Sequence, residues 1–130
     1  MLEGKAVVEK MMENDAFSQW LGIQVEEVKK GFCKLQMTVS KQMLNGFHIA
    51  HGGISYALSD SALAFAANSY GFKCVSVETS ISHIKPVYEN DMLTAVASEK
   101  SRTNKIGIYE VEVFNQNREK VALFKGIVYI

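Results

Sequence analysis

Apolar and polar positions alternate most clearly over residues 33–39, where Cys33, Leu35, Met37 and Val39 point one way and Lys34, Gln36 and Thr38 the other. That period of two predicts a strand with one buried face. A shorter strand over Ile23–Val28 precedes it, and Lys29-Lys30-Gly31 marks the turn between them. Upstream, Leu2, Val7, Val8, Met11 and Met12 recur at helical spacing, predicting a helix over 2–14 with a further turn from Asp15 to Trp20. A loop is expected around Asn45-Gly46. Residues 52–70 form the one long helical stretch of the middle, opened by Gly52-Gly53 and closed by Gly71. It is apolar nearly all round and rich in alanine, which predicts a buried helix approached closely by a sheet. Four strands follow, at 74–84, 92–100, 106–115 and 120–129, with turns at 88–91, 101–105 and 115–119. This spacing predicts an antiparallel meander. The fold class expected is α+β: one antiparallel sheet curled around a single long central helix, with an N-terminal helix appended.

Length, charge and cysteines narrow the picture. A chain of 130 residues fits a single domain spanning 1–130. Acids and bases balance at 14 each, which argues against a protein that grips nucleic acid through its phosphates. No apolar run reaches membrane-spanning length, and no secretory pattern opens the chain. Cys33 and Cys74 stand apart, without a disulfide framework or metal-type spacing, so the expectation is reduced thiols and a cytoplasmic protein.

The candidate chemistry gathers on the central helix. From Gln42 to Phe72 the only formally charged side chain is Asp60, histidines aside. A carboxylate in so apolar a helix costs several kcal/mol unless it is paired or hydrogen-bonded. It reads either as a residue on a narrow solvated stripe with Ser59, Ser61 and Asn68, or as a general base or nucleophile. His51-Gly52-Gly53 opens the same helix. A helix N-terminus offers unpaired N–H groups and a positive dipole end, and glycine lets a carbonyl oxygen approach them. The alternatives are glycines that punctuate a loop, a His51 that merely caps, and an Asn45 that sits in an Asn-Gly turn rather than donating to a carbonyl.

Met43-Leu44-Asn45-Gly46, His51-Gly52-Gly53 and Leu58-Ser59-Asp60-Ser61-Ala62 together resemble the hotdog-fold acyl-CoA thioesterases, in particular the phenylacetic-acid-degradation branch. The likeness continues through Asn68-Ser69, Lys85-Pro86, Gly107–Val113 and Val121–Gly126, and so covers about residues 20–129. The resemblance implies Asp60 as the catalytic carboxylate and Gly52 as the N–H that polarises the thioester carbonyl. It further implies that Asn45 positions the carbonyl or the water, His51 braces the helix start and Ser76 orients water. Homodimers as the minimal active unit, paired into tetramers, are implied as well, and so is an aryl-acetyl thioester substrate. Because a thioester is already activated, neither metal nor cofactor is expected, CoA being part of the substrate. Whether Asp60 attacks directly or deprotonates water stays open, with the water route favoured. CoA carries phosphates, so cations are expected near the site: Lys85 first, then Arg102 and Lys105, which read equally well as a solvated basic turn. Two rival functions remain, an acyl-thioester hydratase or dehydratase and a non-catalytic acyl-CoA-binding module. The first is disfavoured by the lack of proline near His51, the second by Asp60 itself.

Overall fold

A computed structural model describes residues 3–130. The helix expected over 2–14 is α1, Lys5–Asn14, and its predicted first residue, Leu2, lies outside the described residues. The extra turn is α2, Ala16–Trp20, started by Asp15, whose carboxylate accepts from the Ser18 N–H at 3.0 Å and from its hydroxyl at 2.7 Å. This is ordinary N-capping of an orphan donor. The Ser18 hydroxyl also meets that of Ser61 at 2.8 Å, tying α2 to the central helix.

The strands are β1 (Gln24–Lys29), β2 (Phe32–Thr38), β3 (Val75–His83), β4 (Met92–Arg102), β5 (Ile106–Phe114) and β6 (Lys120–Tyr129), all antiparallel in one six-stranded sheet. Alternation sets its buried face: Cys33, Leu35 and Met37 on β2, Leu93, Ala95 and Ala97 on β4, Tyr109, Val111 and Val113 on β5. Into that face packs α3, Gly52–Asn68, through Leu58, Ala62, Leu63, Phe65 and Ala66. Each large apolar side chain removed from water there contributes roughly 1.5–3 kcal/mol. Helix and sheet meet most tightly at Gly126, where a Cβ would collide with the Leu63 side chain.

The sheet order is β1-β2-β4-β5-β6-β3, so only β4, β5 and β6 form the expected meander. β3 lies at the far edge, paired with β6 from Val75↔Tyr129 to His83↔Ala122. The chain then crosses back to β4 through residues 84–91. This is no hairpin: Val87 is buried and its carbonyl accepts from Ala50 N–H at 2.7 Å, while Asp91 Oδ2 holds the Tyr88 N–H at 2.8 Å. Turn-forming residues mark a reversal but do not say how far the chain travels first.

The central helix is not buried all round. Gly53 is exposed and Ala57, Asp60 and Ala64 are half-buried, a stripe at the three- and four-residue spacing of one helix face. Ser59 and Asn68 do not share it. Ser59 is fully buried, and Asn68 is turned inward, bonding the Ala64 carbonyl and the Cys74 backbone.

Candidate active site

The start of α3 leaves one donor free. His51 is the N-cap, and its Nδ1 accepts from the Gly53 N–H at 2.9 Å, which puts the ring proton of the neutral form on Nε2. The Ile54 N–H goes to the His51 carbonyl at 2.9 Å. The Gly52 N–H has no acceptor among the described residues, and it points outward from a helix end that carries positive partial charge. His51 therefore both caps the helix and, by taking the second N–H, leaves the first one open.

Asn45 stands beside it. Its Oδ1 accepts from the N–H groups of Phe47, at 2.8 Å, and Ile49, at 3.4 Å, shaping the loop, while its Nδ2 has no acceptor among the described residues. The two readings of Asn45 thus belong to different atoms of one amide. The left-handed turn of this loop falls on His48, at φ 63°, and not on Gly46.

Asn45 and Gly52 share a cavity of about 340 Å³ whose walls include Ser55, His83, Lys85 and Val87. Lys85, at its rim, pairs with Glu119 at 2.5 Å, and this contact, with one from Asn115, holds the exposed Glu119 carboxyl below its usual range. His83 was not foreseen from the sequence. It ends β3, and its Nε2 lies 3.1 Å from where a Cβ on Gly52 would stand, so only glycine fits there without displacing the ring.

Asp60 is not among the residues lining that cavity. It sits on the outward stripe of α3, eight residues from Gly52, hence ~12 Å along the axis. It has neither hydrogen bond nor ion pair among the described residues, and burial pushes its carboxyl pKa up.

Ser76 lies at Asp60's level along the fold. Since His83 abuts Gly52 and the Thr79 and Tyr56 hydroxyls meet, β3 runs antiparallel to α3. Asp60, one turn beyond Tyr56, is therefore near the level of Val77 and Ser76. Strict alternation from Thr79 would turn Ser76 outward. A bulge between Ser76 and Glu78 reverses the parity, so Ser76 pairs with the inward-facing Val128 and shares the helix side with Thr79, Ile81 and His83.

Arg102 corrects an expectation. Its side chain is 15% exposed, its Nη1 donates to the Tyr109 hydroxyl at 3.0 Å and the Ala67 carbonyl at 3.4 Å, and its guanidinium lies 3.9 Å from the Tyr70 ring centre. Glu99 completes the cluster, accepting from Tyr109 at 2.8 Å. Arg102 thus braces the C-terminal end of α3 and is not among the residues lining the Gly52 cavity. Lys105, exposed in the next turn, is at that same end, away from the Gly52 cavity.

Comparison with known proteins identifies the family. A family model, the Thioesterase superfamily, matches residues 47–122. The acyl-coenzyme A thioesterase PaaI of Escherichia coli is 40% identical over 116 residues, 89% of this chain and 83% of the relative. A putative esterase of Archaeoglobus fulgidus is 39% identical over 123 residues, 95% of this chain and 80% of that one. The solved structure of the E. coli PaaI protein from the phenylacetic acid degradation operon superposes with a TM-score of 0.92 at 39% identity, covering 93% of this chain and 88% of that one. The chain belongs to the thioesterase superfamily and has the hotdog fold. It is a homologue of an acyl-CoA thioesterase. Among the described residues, no helix is long and apolar enough to cross a membrane.

Proposed function

We propose that this chain hydrolyses aryl-acetyl-CoA thioesters at sites shared between the two subunits of a symmetric dimer. The observation that carries this reading is the separation of two incomplete half-sites. An unpaired Gly52 N–H, an Asn45 amide nitrogen without an acceptor among the described residues and Lys85 gather at one end of α3, while a desolvated, unpartnered Asp60 stands ~12 Å away. An aspartate side chain is too short to bridge that gap on its own helix.

A second copy supplies the missing half. β3 is a nine-residue edge strand with no fully buried residue, Val75 being 54% and Val77 62% exposed. An unpaired strand edge of that length is a template for pairing. The stripe of Gly53, Ala57, Asp60 and Ala64 lets another helix approach closely. A two-fold axis near Thr79 sets His83 and Gly52 of one chain opposite Ser76 and Asp60 of the other, and does so twice.

In such a site the thioester oxygen lies on the Gly52 N–H and the Asn45 Nδ2, donors placed for the charge that develops there. Asp60 of the other chain takes a proton from a water held by Ser76, and the hydroxide oxygen attacks the carbonyl carbon. Lys85 exchanges Glu119 for a CoA phosphate. The aryl-acetyl preference rests on the operon named for the E. coli relative and on Phe47, 85% exposed in the loop beside Asn45, and half-buried Met43. Tyr56 contributes less to an acyl pocket than its type suggests, since its ring packs on Phe124 and its hydroxyl on Thr79. Thiol release from a panel of acyl-CoAs tests the reading. Phenylacetyl-CoA or a ring-hydroxylated relative is expected to exceed acetyl-CoA in kcat/KM, and a clear preference for long straight chains would refute the aryl-acetyl assignment.

A further inference from the structure

Three atoms gain or lose charge when a thioester is hydrolysed: the water oxygen, the carbonyl oxygen and the sulfur. The site as read above provides Asp60 and Ser76 for the first, and Gly52 and Asn45 for the second. The sulfur has no attendant group. Of the other polar side chains in the cavity wall, Lys85 is drawn to Glu119 and Ser55 is recessed, 3% exposed. His83 is exposed, and its ring makes no hydrogen bond among the described residues.

The position of that ring is defined from two sides. Pairing with Ala122 puts His83 on the helix-facing side of β3, and Nε2 lies 3.1 Å from the virtual Cβ of Gly52. A carbonyl oxygen bound to the Gly52 N–H sits about 3 Å from that nitrogen. The sulfur on the same carbonyl carbon then falls within a few ångströms of the imidazole. Lys85 follows His83 by two residues along the same edge of the cavity. Lys85 thus puts a cation on the His83 side of the cavity, the side on which the CoA arm, and with it the sulfur, leaves the carbonyl in the proposed site.

Resting on the reading of the site given above, we propose that His83 is the catalytic hydrogen-bond donor to the leaving sulfur. As the C–S bond breaks, its electron pair passes to sulfur, and the Nε2–H bonds the emerging thiolate. The thiolate then takes a proton from solvent, while the proton of the attacking water has gone to Asp60 of the partner chain. His83 ends the step with its own proton, so no further reactant is needed.

The sensitivity of the rate to the leaving group tests this, because a wall residue that only shapes the cavity leaves that sensitivity unchanged. Two thioesters of phenylacetic acid suit the purpose, one of N-acetylcysteamine and one of thiophenol. Both lack the nucleotide, and the aromatic thiolate is by far the better leaving group. In His83→Phe, kcat/KM is expected to fall on the order of tenfold for the N-acetylcysteamine ester and less than about twofold for the thiophenol ester. His83→Gln, which keeps an N–H donor, is expected to recover part of the loss for the first ester. If His83→Phe does not fold, His83→Leu takes its place. Equal losses on both esters, or none on either, would overturn the role of His83 while leaving the thioesterase reading intact. Wild-type protein that releases no thiol from any thioester would overturn both, before any variant is made.

Discussion

The proposed mechanism concentrates the chemistry on one carboxyl group, that of Asp60. Half-buried among alanines and without a partner, it has its pKa raised by burial, which makes it a stronger proton acceptor when ionised. Because folding raises that pKa, folding favours the neutral form. The associated stability is whole below the unfolded pKa and is lost as pH rises through the folded one. Asp60→Asn, neutral at every pH, is therefore expected to match or exceed the wild type in Tm at neutral pH while losing on the order of a hundredfold or more in kcat. The wild-type rate should fall on the acid side at a pH above the ordinary aspartate value of about 3.9. Thermal melts and a pH–rate profile check both. An Asp60→Asn protein that turns over normally, or that unfolds, contradicts the assignment. Asp60 and Gly52 stand out in the chain as candidates because their signals are local: a lone charge in an apolar run, and glycines ahead of a helix. His83 does not, since it becomes a neighbour of Gly52 only when β3 closes the sheet. Arg102 misled for the same reason. Beside a turn it looks solvated, whereas the side chains that enclose it, Tyr70, Glu99 and Tyr109, come from separate elements.

Among the elements, β3 carries the most consequence and was the hardest to read. β2, β4 and β5 each bury one face, so their period-two pattern fixes which way every side chain points. β3 buries its helix-facing side only in part, at Thr79 and Ile81, and its pattern accordingly says little about its partner strand or its bulge. Both matter: the partner is β6 instead of β4, and the bulge at Val77 turns Ser76 towards the helix side. The same exposure makes β3 the natural edge for a second copy. Val77→Lys puts a charge on that edge without touching the core, since Val77 is 62% exposed. It is expected to give a folded monomer, by circular dichroism and analytical ultracentrifugation, with activity reduced at least tenfold. A variant that stays dimeric and active would remove β3 from the interface.

At the scale of the whole molecule, the proposed oxyanion site lies at the end of one helix and the proposed base in its middle, too far apart to serve one carbonyl. The helix and the sheet around it were legible from periodicity and from Gly-Gly and Gly71 at the helix borders. The order of strands was not, because pairing between distant segments leaves no local mark. In the proposed dimer, two-fold symmetry turns the ~12 Å offset into a device, since antiparallel helices match each end with the partner's middle. Complementation measures this directly. Asn45→Ala and Asp60→Ala are each expected to be nearly inactive alone. When they are co-refolded in equal amounts, half of the dimers are mixed. In each of those, one of two sites combines the intact Asn45 of one chain with the intact Asp60 of the other. Roughly a quarter of wild-type activity should return. If Asn45 and Asp60 act within the same chain, every site in every mixed dimer remains defective, and no activity returns.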